Sequence, residues 1–226
     1  KLNAIMTIEG MCFIQDEVIS HLNHFYNLGV RIASLTWNEE NNLATGAKSN
    51  PSRGLTQLGY EAVKHMNEIG MIIDVSHLNE KSFWEVLEIS TKPVIATHSN
   101  SRKYANVDRN LTDQQVKALI NQKGLIGLNA VRYFIQDDET LQDVAHLAKQ
   151  ARYIADLGGI DTLACGFDFM DYLDGNFGIH SMAKGIQKAD ESQNLVLALE
   201  NEGFTLHEIE KITHLNALNF LKNHLK

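Results

Sequence analysis

Residues 71–77 read Met-Ile-Ile-Asp-Val-Ser-His, and residues 93–99 read Pro-Val-Ile-Ala-Thr-His-Ser. Each is a short, nearly continuous apolar run that closes on a polar end containing a histidine. Such a run predicts a strand buried on both faces, the habit of parallel sheets. Residues 80–90, between the two, predict a helix. Strand, helix, strand, with a histidine just past each strand's end, is a parallel β/α unit with chemistry at one rim.

The same alternation extends outward. Further apolar runs occupy residues 4–8, 30–35, 125–128 and 163–166. Helices are expected over residues 16–28, 57–69, 112–122 and 140–157, and two more close the chain at 192–202 and 206–225. Gly29, Gly70, Gly124 and Gly158 each fall between a helix and a strand, where a C-terminal stop is expected. Thr112 with Gln115 fits a capping box. Strand–helix alternation repeated six times requires a parallel sheet with helical crossovers. An open doubly wound sheet would carry a Gly-rich turn after an early strand, and none is present. The other candidate is a TIM-type (β/α) barrel. A barrel needs eight strands and six are counted, so either the sheet is open or the first two strands are absent from this chain. Residues 1–226 read as a single domain of six βα units, with only Pro51 and Pro93 as prolines and no linker.

The chain has 226 residues, a formal charge of −8, ten histidines and two cysteines. An acidic balance argues against nucleic acid as partner, since phosphate binding wants a basic face. No apolar run is long enough to span a membrane. Cys12 and Cys165 support neither a disulfide framework nor a cysteine-based zinc site. A cytoplasmic location is expected, with a lost N-terminal signal left open because the sequence starts at Lys1 rather than Met.

Polar residues sit just past the end of nearly every predicted strand: Glu9, Asn38, His77, His98, Asn129 and Asp168. In a β/α barrel that rim is the active-site face. Carboxylates and imidazoles there make a metal inventory suited to zinc or another divalent transition ion. A lone histidine at a strand end is more often structural than a ligand. Two on consecutive strands, with Glu9 and Asp168 on the same rim, shift the balance toward a site. Asp74, inside its strand, reads as structural, and so does His146. His21, His24, His65, His207, His214 and His224 lie in helices without metal spacing. Trp37 reads as wall and Cys12 as a small packing residue. Asp171 and Asp174 read as exposed turn residues, and His180 as a loop residue not assigned to the site.

The segments Ile8-Glu9-Gly10, Leu35-Thr36-Trp37-Asn38, Gly54-Leu55-Thr56, Ile73-Asp74-Val75-Ser76-His77, Pro93-Val94-Ile95-Ala96-Thr97-His98-Ser99, Asp108-Arg109-Asn110 and Gly166-Phe167-Asp168-Phe169 follow one another in order, before a terminal helix with Asn216. Together they resemble the renal (membrane) dipeptidase family, in its bacterial form, across essentially the whole chain. The resemblance implies a metal-dependent hydrolase barrel with two zinc ions at its mouth. It implies that Glu9 bridges both ions and that His77 and His98 hold the second. Arg109 matches the group that binds the dipeptide's terminal carboxylate, and Asp168 the acid that assists proton transfer. Where mammalian members carry a substrate-contacting histidine, this chain has Trp37; Asn38, Glu39 and Asn41 are candidates to take over, with Asn38 preferred for substrate binding. The family's first-strand His-x-Asp pair is found nowhere in the chain, so these residues alone are expected to hold one ion.

The activity implied is hydrolysis of dipeptides with a free C-terminal carboxylate by a metal-activated water. Two alternatives stay open: a non-catalytic barrel that has lost one metal site, and another amidohydrolase of the same barrel type acting on esters, lactams or deacylated amino acids. A homodimer is compatible with the sequence.

Overall fold

The computed structural model describes residues 4–173 and 178–225. Asp174 lies outside the described residues. Strand and helix alternate along the chain, and six parallel strands follow in the order β1-β2-β3-β4-β5-β6. The chain divides into two compact units, residues 1–95 with 221–226, and residues 96–220.

The first unit contains β1 (Met6–Ile8), α1 (Val18–Asn27), β2 (Val30–Ser34), α2 (Gln57–Ile69), β3 (Ile72–Asp74) and α3 (Glu80–Ile89). β4 (Ile95–Ala96) begins at its end. β1 pairs β2, β2 pairs β3 with Ser34 opposite Asp74, and β3 pairs β4 with Asp74 opposite Ile95. All three residues of β3 are buried, as the unbroken apolar run predicts. Leu22, Ile32, Val63, Met66, Ile73, Phe83 and Val86 form its core. Thr56 caps α2 by accepting from the Gly59 amide. Gly70 ends α2 at φ 82°, the left-handed conformation that glycine adopts at least cost.

The second unit contains α4 (Asp113–Asn121), β5 (Leu125–Leu128), α5 (Val144–Ile154), β6 (Leu163–Cys165), α6 (Asn194–Asn201), α7 (Leu206–Glu210) and α8 (Asn216–His224), the last ending beyond the unit's boundary. β5 pairs β6 in parallel, with Gly127 opposite Ala164. Val116, Leu119, Ile126, Leu128, Leu147, Ile154, Leu163 and Leu199 form this unit's buried core. The predicted Thr112–Gln115 capping box is formed.

Two helices differ from expectation. The helix expected over residues 140–157 starts only at Val144, because Asp143 caps it by accepting from the His146 amide. The helix expected over residues 206–225 widens into a π-helical turn, Lys211–Leu215, between α7 and α8. There the Thr213 hydroxyl donates to the Ile209 carbonyl at 2.8 Å, competing with the backbone ladder.

Candidate functional site

In the first unit, Glu9 follows β1 and is followed by a turn that only glycine fits. Gly10 has φ 77°, and a Cβ there would lie 2.9 Å from the Trp37 amide nitrogen. The Gly10 amide donates to Ser34 Oγ at 2.9 Å, which ties this turn to the end of β2. His77 follows β3 after a tight bend in which Asp74 accepts from the amide and the hydroxyl of Ser76, at 3.0 and 2.7 Å. That bend presents the His77 ring, which is almost fully buried.

His77 Nε2 lies 2.9 Å from Glu9 Oε1. Its other ring nitrogen, Nδ1, lies 3.1 Å from Asn38 Oδ1. A carboxamide oxygen only accepts, so this contact assigns the ring proton to Nδ1. Nε2 faces a carboxylate oxygen, a contact that either a second ring proton or a metal ion between the two would satisfy. Two ligand atoms of one ion, each about 2.0–2.2 Å from it, sit roughly 2.9–3.5 Å apart. The Glu9–His77 separation therefore suits a metal. Trp37, half exposed, lies beside the His77 ring, with centroids 6.0 Å apart.

In the second unit, His98 is buried and its Nδ1 lies 2.7 Å from Thr97 Oγ1. Its carbonyl receives Arg109 Nη2 at 3.4 Å and Asn129 Nδ2 at 3.5 Å. Arg109 is buried, with its guanidinium 5.5 Å from the centre of the Phe134 ring. Asn129 Nδ2 also approaches Asp168 Oδ2 at 3.3 Å. Asp168 adopts φ 60°, rare for a residue with a side chain and more common at functional sites than elsewhere. Two glycines let the strands close in around Thr97: a Cβ on either Gly127 or Gly166 would come within 1.9 Å of its carbonyl oxygen.

Within the first unit, Glu9 and His77 are an acid and an imidazole side chain close enough to share a metal ion. Asn129 was visible in the sequence as a strand-end residue without a role; the structure gives it one, linking His98 to Asp168. Cys12 is exposed, which corrects its reading as a packing residue: the turn after Glu9 carries it outward. Burial pushes the Cys165 thiol up to about 12, so it is neither a thiolate ligand nor a nucleophile. His146 is structural as expected, its Nδ1 2.8 Å from Asp143 Oδ1. Among the described residues, no helix is long and apolar enough to cross a membrane.

The chain is similar in sequence and fold to known proteins. The chain is 31% identical over 217 residues to an uncharacterized protein in the pqqA 5' region of Klebsiella pneumoniae, covering 89% of this chain and 75% of that one. It is 28% identical to the dipeptidase tcpJ of Claviceps purpurea, covering 98% of this chain but 51% of the relative. Among solved structures, it superposes with a TM-score of 0.83 at 26% identity on a metallo peptidase from Rhodobacter sphaeroides liganded with a phosphinate mimic of the dipeptide L-Ala-D-Ala. That match covers 97% of this chain and 63% of the other, so the chain spans between half and three quarters of the length of these relatives. The parallel α/β architecture expected from the sequence is therefore that of solved metallopeptidases. With a match to the family's description over residues 1–225, the chain belongs to the membrane dipeptidase family, peptidase family M19.

Proposed function

We propose that this protein is a metal-dependent dipeptidase in which Glu9, His77 and His98 hold a divalent ion. The observation that carries the reading is the Glu9–His77 contact, 2.9 Å between a carboxylate oxygen and the imidazole nitrogen opposite an engaged Nδ1. Family membership supports it. A carboxylate with two imidazoles is the donor set that zinc takes when a coordination position stays open, and zinc is the metal proposed. When bound, such an ion supplies Lewis acidity, favouring the ionised form of a water and polarising a carbonyl oxygen.

The remaining steps belong to the chain's own side chains. Arg109 binds the substrate's terminal carboxylate through paired N–H groups, which selects short peptides with a free C-terminus. Its fixed setting over Phe134 and against the His98 carbonyl gives that fork a defined direction. Asp168 carries a proton to the leaving amine. Asn129, bonded to Asp168 Oδ2, holds the carboxyl in place for that transfer. Asn38, preferred from the sequence for substrate binding, has its side-chain oxygen on His77 Nδ1 instead. The cytoplasm is the proposed compartment, because both cysteines are free.

The test is release of free amine from a panel of dipeptides by the purified protein, before and after chelation. Chelation should remove activity and zinc should restore it. Glu9→Gln and His77→Ala should each lower kcat/KM by more than roughly 100-fold, beyond the 10–100-fold usual for partners outside the ligand set. Metal-independent turnover, or full activity in both variants, would overturn the reading.

A further inference from the structure

Asn38 sits where two loops are keyed to one histidine. Its Oδ1 is 3.1 Å from His77 Nδ1. Its own carbonyl accepts from the Lys48 amide and from Ser49 Oγ, both at 3.2 Å. The His77 carbonyl accepts from the Ala47 amide at 2.8 Å and from Thr36 Oγ1 at 3.4 Å. Gly46 completes the arrangement, since a Cβ there would lie 2.4 Å from the Asn38 carbonyl carbon. The loop over residues 36–49 thus holds both ends of the Asn38–His77 contact, main chain and side chain.

From this geometry we infer that Asn38 is a positioning residue for His77, fixing its tautomer and ring angle so that Nε2 meets the metal beside Glu9. The inference rests on the metal-centre reading above and gives Asn38 a task other than contact with substrate. A histidine that ligates through Nε2 needs an acceptor at Nδ1. Partners of that kind set the ring's orientation and raise its basicity. A carboxamide oxygen is a neutral acceptor, so it holds the proton on Nδ1 without adding a charge to the site. Trp37, next in sequence, lies beside the same ring, with centroids 6.0 Å apart.

Three measurements on the full chain test this. In the zinc-loaded protein, nitrogen-resolved magnetic resonance of the His77 ring should show the proton on Nδ1. Asn38→Leu removes the acceptor at similar volume. It should weaken zinc binding by roughly 10–100-fold, read by competition with a chromophoric chelator, and mix the two tautomers. Asn38→Asp keeps an acceptor and should restore both the zinc affinity and the Nδ1–H signature.

If Asn38→Leu binds zinc as the wild type does while KM for dipeptides rises, Asn38 is a substrate contact and the inference is wrong. If Asn38→Asp fails to rescue, or the wild-type ring carries its proton on Nε2, it is equally wrong. His77→Ala separates the two levels of argument. Unchanged zinc affinity in that variant defeats the metal-centre reading itself, whereas loss there with no effect at Asn38 defeats the positioning role alone.

Discussion

Arg109 keeps only 4% of its surface exposed, and a buried guanidinium is costly unless something else requires it. The proposed carboxylate-anchoring role would use that setting, since a fork held rigid before substrate arrives loses less freedom on binding. Lysine would keep the charge and lose the paired geometry. Arg109→Lys should cost roughly 1.5–3 kcal/mol toward dipeptides, about 10–150-fold in kcat/KM. Substrates whose terminal carboxylate is amidated should be affected far less. The check is the ratio of kcat/KM for free and amidated substrates in both proteins; an unchanged ratio would make Arg109 purely structural. At this scale the sequence disclosed the charged groups and little of what orients them. Glu9, His77, His98 and Asp168 stood out because a charge or an imidazole at the end of an apolar run is conspicuous. Asn38 and Asn129 are ordinary loop residues by composition. Their tasks depend on contacts across 39 residues, Asn38 with His77 and Asn129 with Asp168, which no local pattern contains.

Among the elements, helix ends show most clearly where a local rule was overridden. Gly29, Gly70 and Gly158 take positive φ as expected of helix stops, at 103°, 82° and 100°. After α4 the stop falls one residue early. Lys123, not Gly124, adopts the left-handed conformation at φ 58°, and its amide donates to the Ile120 carbonyl at 3.0 Å. Gly124 donates to the Leu119 carbonyl at 2.9 Å, so the turn closes with a lysine in the position that favours glycine. A side chain held there costs about 1 kcal/mol, partly offset in the opposite sense by the greater freedom of glycine when unfolded. Lys123→Gly should therefore stabilise the protein by roughly 0.5 kcal/mol, seen as a higher midpoint in urea at constant slope. A lower midpoint would mean that Lys123 makes a compensating contact. The elements themselves were legible because burial on both faces leaves strands almost wholly apolar, while amphipathic helices keep their period. The π-helical turn at Lys211–Leu215 was not legible, since it depends on which carbonyl the Thr213 hydroxyl reaches.

For the whole molecule, acid should weaken the fold in two separable stages. His224 sits below the ordinary histidine value because burial disfavours its charged form, and Lys92 adds repulsion. The unfolded ring takes up a proton near pH 6.5, and the folded ring does so only at lower pH. Between those values the unfolded state binds more protons, so stability falls as pH drops below about 6.5 and levels off once the folded ring is charged. Glu208 acts in a lower window. The Thr205 backbone amide and hydroxyl hold its carboxyl below the usual range, so its contribution is present above about pH 4.5 and is lost as pH falls through its folded value. The two groups lie in different helices, so removing one should leave the other's window unchanged. His224→Gln should make the metal-free protein less sensitive to acidification from pH 7.5 to 5.5 and leave its response below pH 4.5 as before. The measurement is the urea midpoint at each pH for both proteins under chelation, where protonation of Glu9, His77 and His98 contributes equally to each. An identical fall between pH 7.5 and 5.5 in the two proteins would show that the upper window belongs to other histidines.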